Sequence, residues 1–256
     1  MNISLHHNQS VFFASDFHLG APDYAASRVR EDKIIRWLSD VEKDAAAIFL
    51  LGDIFDFWFE YEKVIPKGFI RFVSKITALR EKGIPIFFFT GNHDLWMRDY
   101  FTIELDIPVF ANPIEMEINH KRFLIGHGDG LGPGDQKYKL LKKIFTNKTC
   151  QWLFKWLHPD IGIALAQKWS GSSRISNNLK NEDNFKGEEG EWLWQYCKSV
   201  EERIHFDYYI FGHRHLPLEL PVGEHATYIN LGEWVSQCNY GKFDGSTFRL
   251  LPYETQ

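Results

Sequence analysis

The residues able to do chemistry fall in five short clusters: Asp16-Phe17-His18, Gly52-Asp53, Gly91-Asn92-His93-Asp94, Gly126-His127-Gly128-Asp129 and Gly212-His213-Arg214-His215. Together they supply hard carboxylate oxygens, an amide oxygen and several imidazoles, a set that suits a pair of divalent metals of the Mn, Fe or Zn kind. Asp16 and His18 stand two apart, so both side chains can turn to one ion where the chain leaves a strand. Asp53 suits a bridging role, because a carboxylate has two oxygens and enough charge to hold two cations together. Asn92 offers a neutral amide oxygen that adds no further negative charge. His213 and His215 can straddle the pair, one per metal, and His127 completes a second coordination sphere. Two cations about 3.5–4 Å apart would activate water and polarise the oxygens of a phosphoryl group. His93 is placed to protonate a leaving oxygen or to stabilise charge on the transferring group, with Asp94 orienting its ring.

Taken singly, each residue has an ordinary structural reading; Asp53 could close a turn and Asn92 could be a loop asparagine. What sets them apart is position, since each cluster follows an apolar run. Val11 to Ser15, Ala45 to Leu51 and Ile84 to Thr90 read as buried strands, separated by helical patterns over Arg30 to Asp44 and Phe69 to Leu79. Ile114 to Ile118 and Arg122 to Ile125 flank a turn at Asn119-His120-Lys121 and read as a hairpin. Strand character returns at Phe206 to Phe211, Thr227 to Leu231 and Thr247 to Leu251. Between Asp135 and Glu202 only helical patterning is found. The expected organisation is therefore a layered α/β core over 1–134 and 206–256, with a helical insertion over 135–205, termed the cap. Open α/β sheets place their sites at strand ends, where all five clusters lie.

Composition narrows the function classes. The 256 residues carry a formal net charge of −5, against the basic balance expected of a general nucleic-acid binder. No stretch has the length and apolarity of a membrane span, and Met1 to Gln9 lacks the apolar core of a signal peptide. Three scattered cysteines, Cys150, Cys197 and Cys238, form no CxxC site and point to a reducing compartment. These features predict a cytoplasmic protein. His6, His7, His120, His158, His205 and His225 are read as structural or surface residues.

Read together, Asp-x-His, Gly-Asp, Gly-Asn-His-Asp, Gly-His and Gly-His-x-His, in this order from Asp16 to His215, resemble the calcineurin-like metallophosphoesterases. The resemblance implies a sandwich of two β-sheets flanked by helices. It also implies one metal held by Asp16, His18, Asp53 and His215 and another by Asp53, Asn92, His127 and His213, with Mn2+ the expected ion.

The insertion bears on the substrate. Lys139, Lys142, Lys143 and Lys148 are interleaved with Leu140, Leu141, Ile144, Phe145, Trp152, Leu153 and Phe154, and Trp156 to Trp169 extends the apolar pattern. A basic, aromatic, amphipathic segment in an acidic chain suits an anionic amphiphile or a membrane surface; the alternative is that its apolar residues only pack it on the core. Gly52-Asp53-Ile54-Phe55-Asp56-Phe57-Trp58, and His127-Gly128-Asp129 followed by Asp135-Gln136-Lys137-Tyr138, resemble the bacterial UDP-2,3-diacylglucosamine hydrolases of lipid A synthesis. That resemblance implies cleavage of a pyrophosphate to UMP and 2,3-diacylglucosamine 1-phosphate at the inner face of the inner membrane. It implies substrate contacts at Asn92, His93, Asp135 and Tyr138, with headgroup contacts in the region of Lys168, Ser170, Ser172 and Arg174. One position departs: well-known enterobacterial members carry Arg where this chain has His93. A metallophosphodiesterase for another nucleotide or amphiphilic phosphoester stays open, as does a fold kept as a binding scaffold, though such a scaffold would be expected to have lost ligands.

Overall fold

The computed structural model describes residues 1–133, 136–166, 185 and 187–254. Two six-stranded mixed sheets form a sandwich. The first contains β2 (Ser10–Ala14), β3 (Ala45–Leu51), β4 (Ile86–Phe89), β5 (Val109–Phe110), β11 (Asn239–Phe243) and β12 (Phe248–Pro252), in the order β12-β11-β2-β3-β4-β5. Its centre, β2 to β5, is parallel, and β11 and β12 extend one edge antiparallel. The second contains β1 (Asn2–Ile3), β6 (Ile114–Ile118), β7 (Lys121–Ile125), β8 (Tyr208–Phe211), β9 (Pro217–Val222) and β10 (Ala226–Leu231), in the order β1-β6-β7-β8-β10-β9. The β6–β7 hairpin has Ile114 opposite Ile125 and Ile118 opposite Lys121.

The central strands of the first sheet read as unbroken apolar runs because both of their faces are covered. Facing the second sheet, Val11, Phe13, Phe49, Leu51 and Phe89 meet Met116, Phe123, Ile125, Ile210 and Ile229. Phe13, Phe49 and Phe87 stack across three neighbouring strands with ring centroids 5.1 and 4.6 Å apart. On the outer face, Phe12, Ile48, Leu50 and Phe88 pack against α1 (Tyr24–Val41), α2 (Ile70–Glu81) and α3 (Tyr100–Leu105). Ile34, Trp37, Leu38 and Val41 form the buried stripe of α1 at helical spacing, and the Asp23 side chain caps its start by accepting from the Ala26 N–H at 2.9 Å.

The expected insertion is helical among the described residues: α4 (Gln136–Thr146), α5 (Lys148–Lys155), a helical segment over 159–166 (α6) and, past a short 3-10 turn, α7 (Trp192–Glu201). Its parts do different work. Leu193, Trp194 and Cys197 of α7 are buried on the outer face of the second sheet with Phe206, Tyr209 and Tyr228, so α7 serves the core. By contrast α4 to α6 stand beside the site, with Leu140, Trp152, Leu153 and Trp156 exposed. No helix among the described residues is long and apolar enough to cross a membrane. The cysteines are all free.

Candidate metal centre

Parallel β2, β3 and β4 in one sheet, and β7 and β8 in the other, end at the same edge of the sandwich, so five sequence-distant clusters meet there. The strands stop by turning sharply. Five of the seven candidate ligands, Asp16, His18, Asp53, His213 and His215, have positive φ, between 44° and 70°. Asp and His are among the L-residues that enter this region most readily, still at a cost of about 1 kcal/mol each. The loops brace one another: the Asp16 N–H donates to Gly52 O at 3.0 Å, His18 N–H to Asp53 O at 2.8 Å, and Gly212 N–H to His127 O at 2.9 Å. Glycine is required where they cross. A Cβ on Gly91 would lie 2.1 Å from Asp53 Oδ1, and one on Gly212 would lie 2.5 Å from Asp16 Oδ2.

Asp16, His18, Asp53 and His215 each bring one ligand atom to within 4.8 Å of the others. His215 Nε2 lies 3.1 Å from Asp16 Oδ1 and 3.2 Å from His18 Nε2, while His18 Nε2 is 3.8 Å from both Asp16 Oδ1 and Asp53 Oδ2. On the other side of Asp53, His127 Nε2 is 3.6 Å from Asp53 Oδ2 and 3.3 Å from Asn92 Oδ1, and His213 Nδ1 is 2.9 Å from the same amide oxygen. Asp53 Oδ2 thus lies near both His18 and His127, with Asp16 and His215 beside the first and Asn92 and His213 beside the second.

The donor set fits cations on physical grounds. Asp16 Oδ1 is wholly buried and receives no well-aligned hydrogen bond. Burial pushes Asp16 up, but the close approach of His215 Nε2 and the charges of His215, His127 and His18 outweigh it and hold the carboxyl below its usual range. Asp53 goes the other way: burial, then the charges of Asp16 and Asp94, push it well above the carboxylate range. Buried carboxylates that repel one another are what a bound cation would relieve. Burial, followed by repulsion from His127, holds His213 at about 3, so its neutral imidazole is ready to coordinate. His127 Nδ1 sits 2.7 Å from Leu51 O, which places the proton there and leaves Nε2 as the donor.

His93 lies at the rim. Its backbone N–H donates to Asp53 Oδ1 at 2.8 Å, and its ring packs edge-on against His18 with centroids 4.8 Å apart. Burial, then the neighbouring His215 and His127, lower its pKa to about 4. The expected partnership with Asp94 is corrected here. The Asp94 carboxylate accepts backbone N–H groups from Gly91 at 2.7 Å, Ile54 at 2.8 Å, and Asp53 and Phe55 at 3.3 Å each. It ties the Gly91 loop to the Asp53 loop instead of orienting the ring, because its oxygens are engaged by the amides of two turns. Burial nonetheless pushes it to about 6. The carboxylate facing the ring is Asp56: its Oδ1 lies 3.6 Å from His93 Nδ1 and 3.7 Å from His18 Nδ1, and its carbonyl oxygen lies 3.2 Å from His93 Nδ1. The Gly52-to-Trp58 stretch already displayed this acid, three residues after Asp53, without assigning it a role. Asp129 accepts from the Tyr138 hydroxyl and pairs with Lys142 at 2.6 Å, tethering α4 to the His127 loop.

Beside His93 a cavity of about 300 Å³ opens between core and cap. Asp56, Asn92, His93 and Tyr138 line its polar end, and Phe57, Leu95, Trp96, Leu141, Phe145, Phe154 and Leu165 line the remainder. Trp96 anchors the cap, donating through Nε1 to Phe145 O at 2.7 Å and packing on Phe154 at 4.8 Å. Asp135, Lys168, Ser170, Ser172 and Arg174, expected as substrate contacts, lie outside the described residues.

The profile described as calcineurin-like phosphoesterase matches residues 10–217. A protein from Porphyromonas gingivalis named UDP-2,3-diacylglucosamine hydrolase is 35% identical over 95% of this chain and 97% of its own. Proteins of the same name from Aeromonas hydrophila and Vibrio vulnificus are 29% and 28% identical, over 89% and 96% of this chain and 92% and 100% of theirs. A profile match across all five clusters, on a two-sheet sandwich whose strand ends gather them, has one reading: the chain is a metal-dependent hydrolase and belongs to the calcineurin-like phosphoesterase family.

Proposed function

We propose that the protein hydrolyses the pyrophosphate of UDP-2,3-diacylglucosamine, giving UMP and 2,3-diacylglucosamine 1-phosphate. The observation that carries this reading is the cavity lined by Asn92 and His93 and by apolar side chains of both core and cap. A phosphoryl group at the polar end would leave acyl chains in the apolar part, and the named relatives supply the matching substrate.

In this reading Asp16, His18, Asp53 and His215 hold one divalent cation and Asp53, Asn92, His127 and His213 hold another, with Mn2+ as the working ion. Bound cations would supply Lewis-acid polarisation and charge neutralisation at the phosphoryl oxygens. The remaining work falls to the chain. Nδ1 of His93 faces two acceptors on Asp56, so a proton belongs there and Nε2 is left for the substrate. An approaching phosphoryl anion raises the pKa of this desolvated imidazole, so His93 acquires positive charge with substrate in place and stabilises the departing lipid phosphate. Tyr138 stands at the same end of the cavity as a substrate contact. Asp94 acts by holding the Asn92 and Asp53 loops in register.

The cap carries exposed Trp152, Leu153, Trp156, Leu140 and Ile144 together with the exposed Lys143 and Lys148. We read it as the face that meets the headgroup region of the membrane holding the substrate, at its cytoplasmic side.

The test is a mass-spectrometric assay of purified protein with UDP-2,3-diacylglucosamine, with and without Mn2+. Manganese-dependent release of UMP and the lipid monophosphate is expected. Cleavage of bis(4-nitrophenyl) phosphate without turnover of the lipid would keep the metal centre and overturn the substrate, leaving another amphiphilic or nucleotide phosphoester.

A further inference from the structure

Arg214 separates His213 from His215, both in left-handed turns that L-residues seldom hold without support. Its side chain is turned away from water, 4% exposed. Nε donates to both carboxylate oxygens of Glu191, at 3.1 and 3.0 Å, and the guanidinium lies 4.4 Å over the ring of Trp192. The Tyr228 hydroxyl, from β10, reaches the same carboxylate at 3.4 Å. Glu191 is 1% exposed and immediately precedes α7, where the chain returns from the insertion. A charged pair buried this deeply is weak evidence for stability, since desolvation consumes most of the attraction; its distinctive property is directional geometry. That geometry is applied between two histidines whose imidazoles belong to opposite halves of the site: His215 beside Asp16, His213 beside Asn92.

We propose that Glu191 and Arg214 are positioning residues for the metal centre, their buried ion pair holding the 213–215 loop so that each imidazole reaches its own cation. The proposal rests on the reading of His213 and His215 as ligands. It predicts that divalent-metal affinity depends on a residue pair that touches neither metal nor substrate.

The experiment replaces the pair by apolar residues of similar size, Glu191→Leu with Arg214→Met, which removes the direction of the contact while keeping its volume. Bound Mn2+ is counted from the electron paramagnetic resonance signal of the free ion, and metal-free thermal stability is measured alongside. The expected result is a Tm within about 4 °C of the parent and Mn2+ affinity lower by about tenfold or more. Parental affinity at parental stability would overturn the proposal and assign the pair to packing alone. If the double variant does not fold, Arg214→Lys keeps the charge and loses the planar contact; a fall in Mn2+ affinity of several-fold supports the proposal, and an unchanged affinity overturns it. Failure of the unaltered protein to bind Mn2+ would instead overturn the ligand reading, and the proposal with it.

Discussion

Asp16, Asp53 and His127 are almost entirely shielded from water, and the loops that carry them are hydrogen-bonded to one another. On the cap, Leu140, Trp152 and Trp156 lie open to solvent, and α4 and α5 are held to the core by a few contacts such as Trp96 with Phe145 and Lys155 with Glu62. The two regions share an edge of one cavity but obey different rules. Ligand atoms must be set within tenths of an ångström, so they grow from the ends of central strands where neighbouring turns restrain them. Acyl chains ask only for apolar volume, which helices outside the sheets can supply and exchange. Under the proposed function, chemistry would belong to the sandwich and substrate choice to the cap.

The largest test of that division is Asp53→Ala. Turnover of every phosphoester should fall by about 10³-fold or more, while metal-free stability holds or rises, because a carboxyl pushed up by burial and by Asp16 and Asp94 is removed. Activity within tenfold of the parent would remove its bridging role. His127→Ala should likewise abolish turnover and leave circular dichroism unchanged.

His93→Ala comes next, with kcat lower by about 10²-fold to 10³-fold on lipid and small diester alike and the bound metal unchanged. A loss of metal would make His93 a ligand and move the boundary between ligands and substrate contacts.

A third test reads the buried loops through pH. The folded-state pKa values of His93 and His213 lie at about 4 and about 3, below the ordinary imidazole value of about 6.5. The unfolded chain then takes up protons before the folded one does. Their contribution to stability is full above pH about 6.5 and is lost as pH falls toward 4 for His93 and toward 3 for His213, on the order of 3 kcal/mol for His93 alone. Asp53 and Asp94, whose carboxyls burial pushes up, contribute the opposite slope over the same window, so the test compares denaturant titrations of the parent and of His93→Ala in a chelator; the parent should gain the more stability between pH 4 and 6.5, and equal slopes would contradict the burial described for His93.

The smallest effect belongs to the cap. Phe154→Ala, on the cavity wall, should raise KM for the diacylated substrate by about tenfold and leave bis(4-nitrophenyl) phosphate hydrolysis unchanged. Equal losses on both substrates would mean that the cap positions the catalytic edge as well.

Much of this was legible in the residues themselves. Each of the five clusters follows a strand that its apolar run announces; β3 runs over Ala45–Leu51, as its pattern predicts. Four strands have no counterpart in the sequence pattern, and two of them, β1 over Asn2–Ile3 and β5 over Val109–Phe110, are two residues long, too short to show a period. β9 carries Pro217 and Pro221 and is tolerated because it lies at the edge of its sheet, where a missing N–H does no harm. β11 contains Asn239 and Gly241, poor strand formers that the sheet accepts between β2 and β12. In the site, Asp94 was assigned to the His93 ring because it follows it in sequence. Neighbours in a tight turn point apart, and Asp94 faces the amides of the Asp53 loop. Asp56 faces His93 only because the two loops are folded together.

What the sequence by itself determined is the inventory and its order: carboxylates, an amide and imidazoles at strand ends, and an amphipathic insertion between the fourth and fifth clusters. Residue type dictates which ions can be held, and hydrophobic period dictates which segments are strands. Only the tertiary structure decided which ligand faces which, that Asp53 Oδ2 lies near both His18 and His127, and that Glu191 reaches Arg214 across a separation of 23 residues. It also decided that α7 joins the core while α4 to α6 wall the cavity. Those outcomes depend on which strands become neighbours and on where the burial of apolar faces brings their ends, relations that local pattern does not contain.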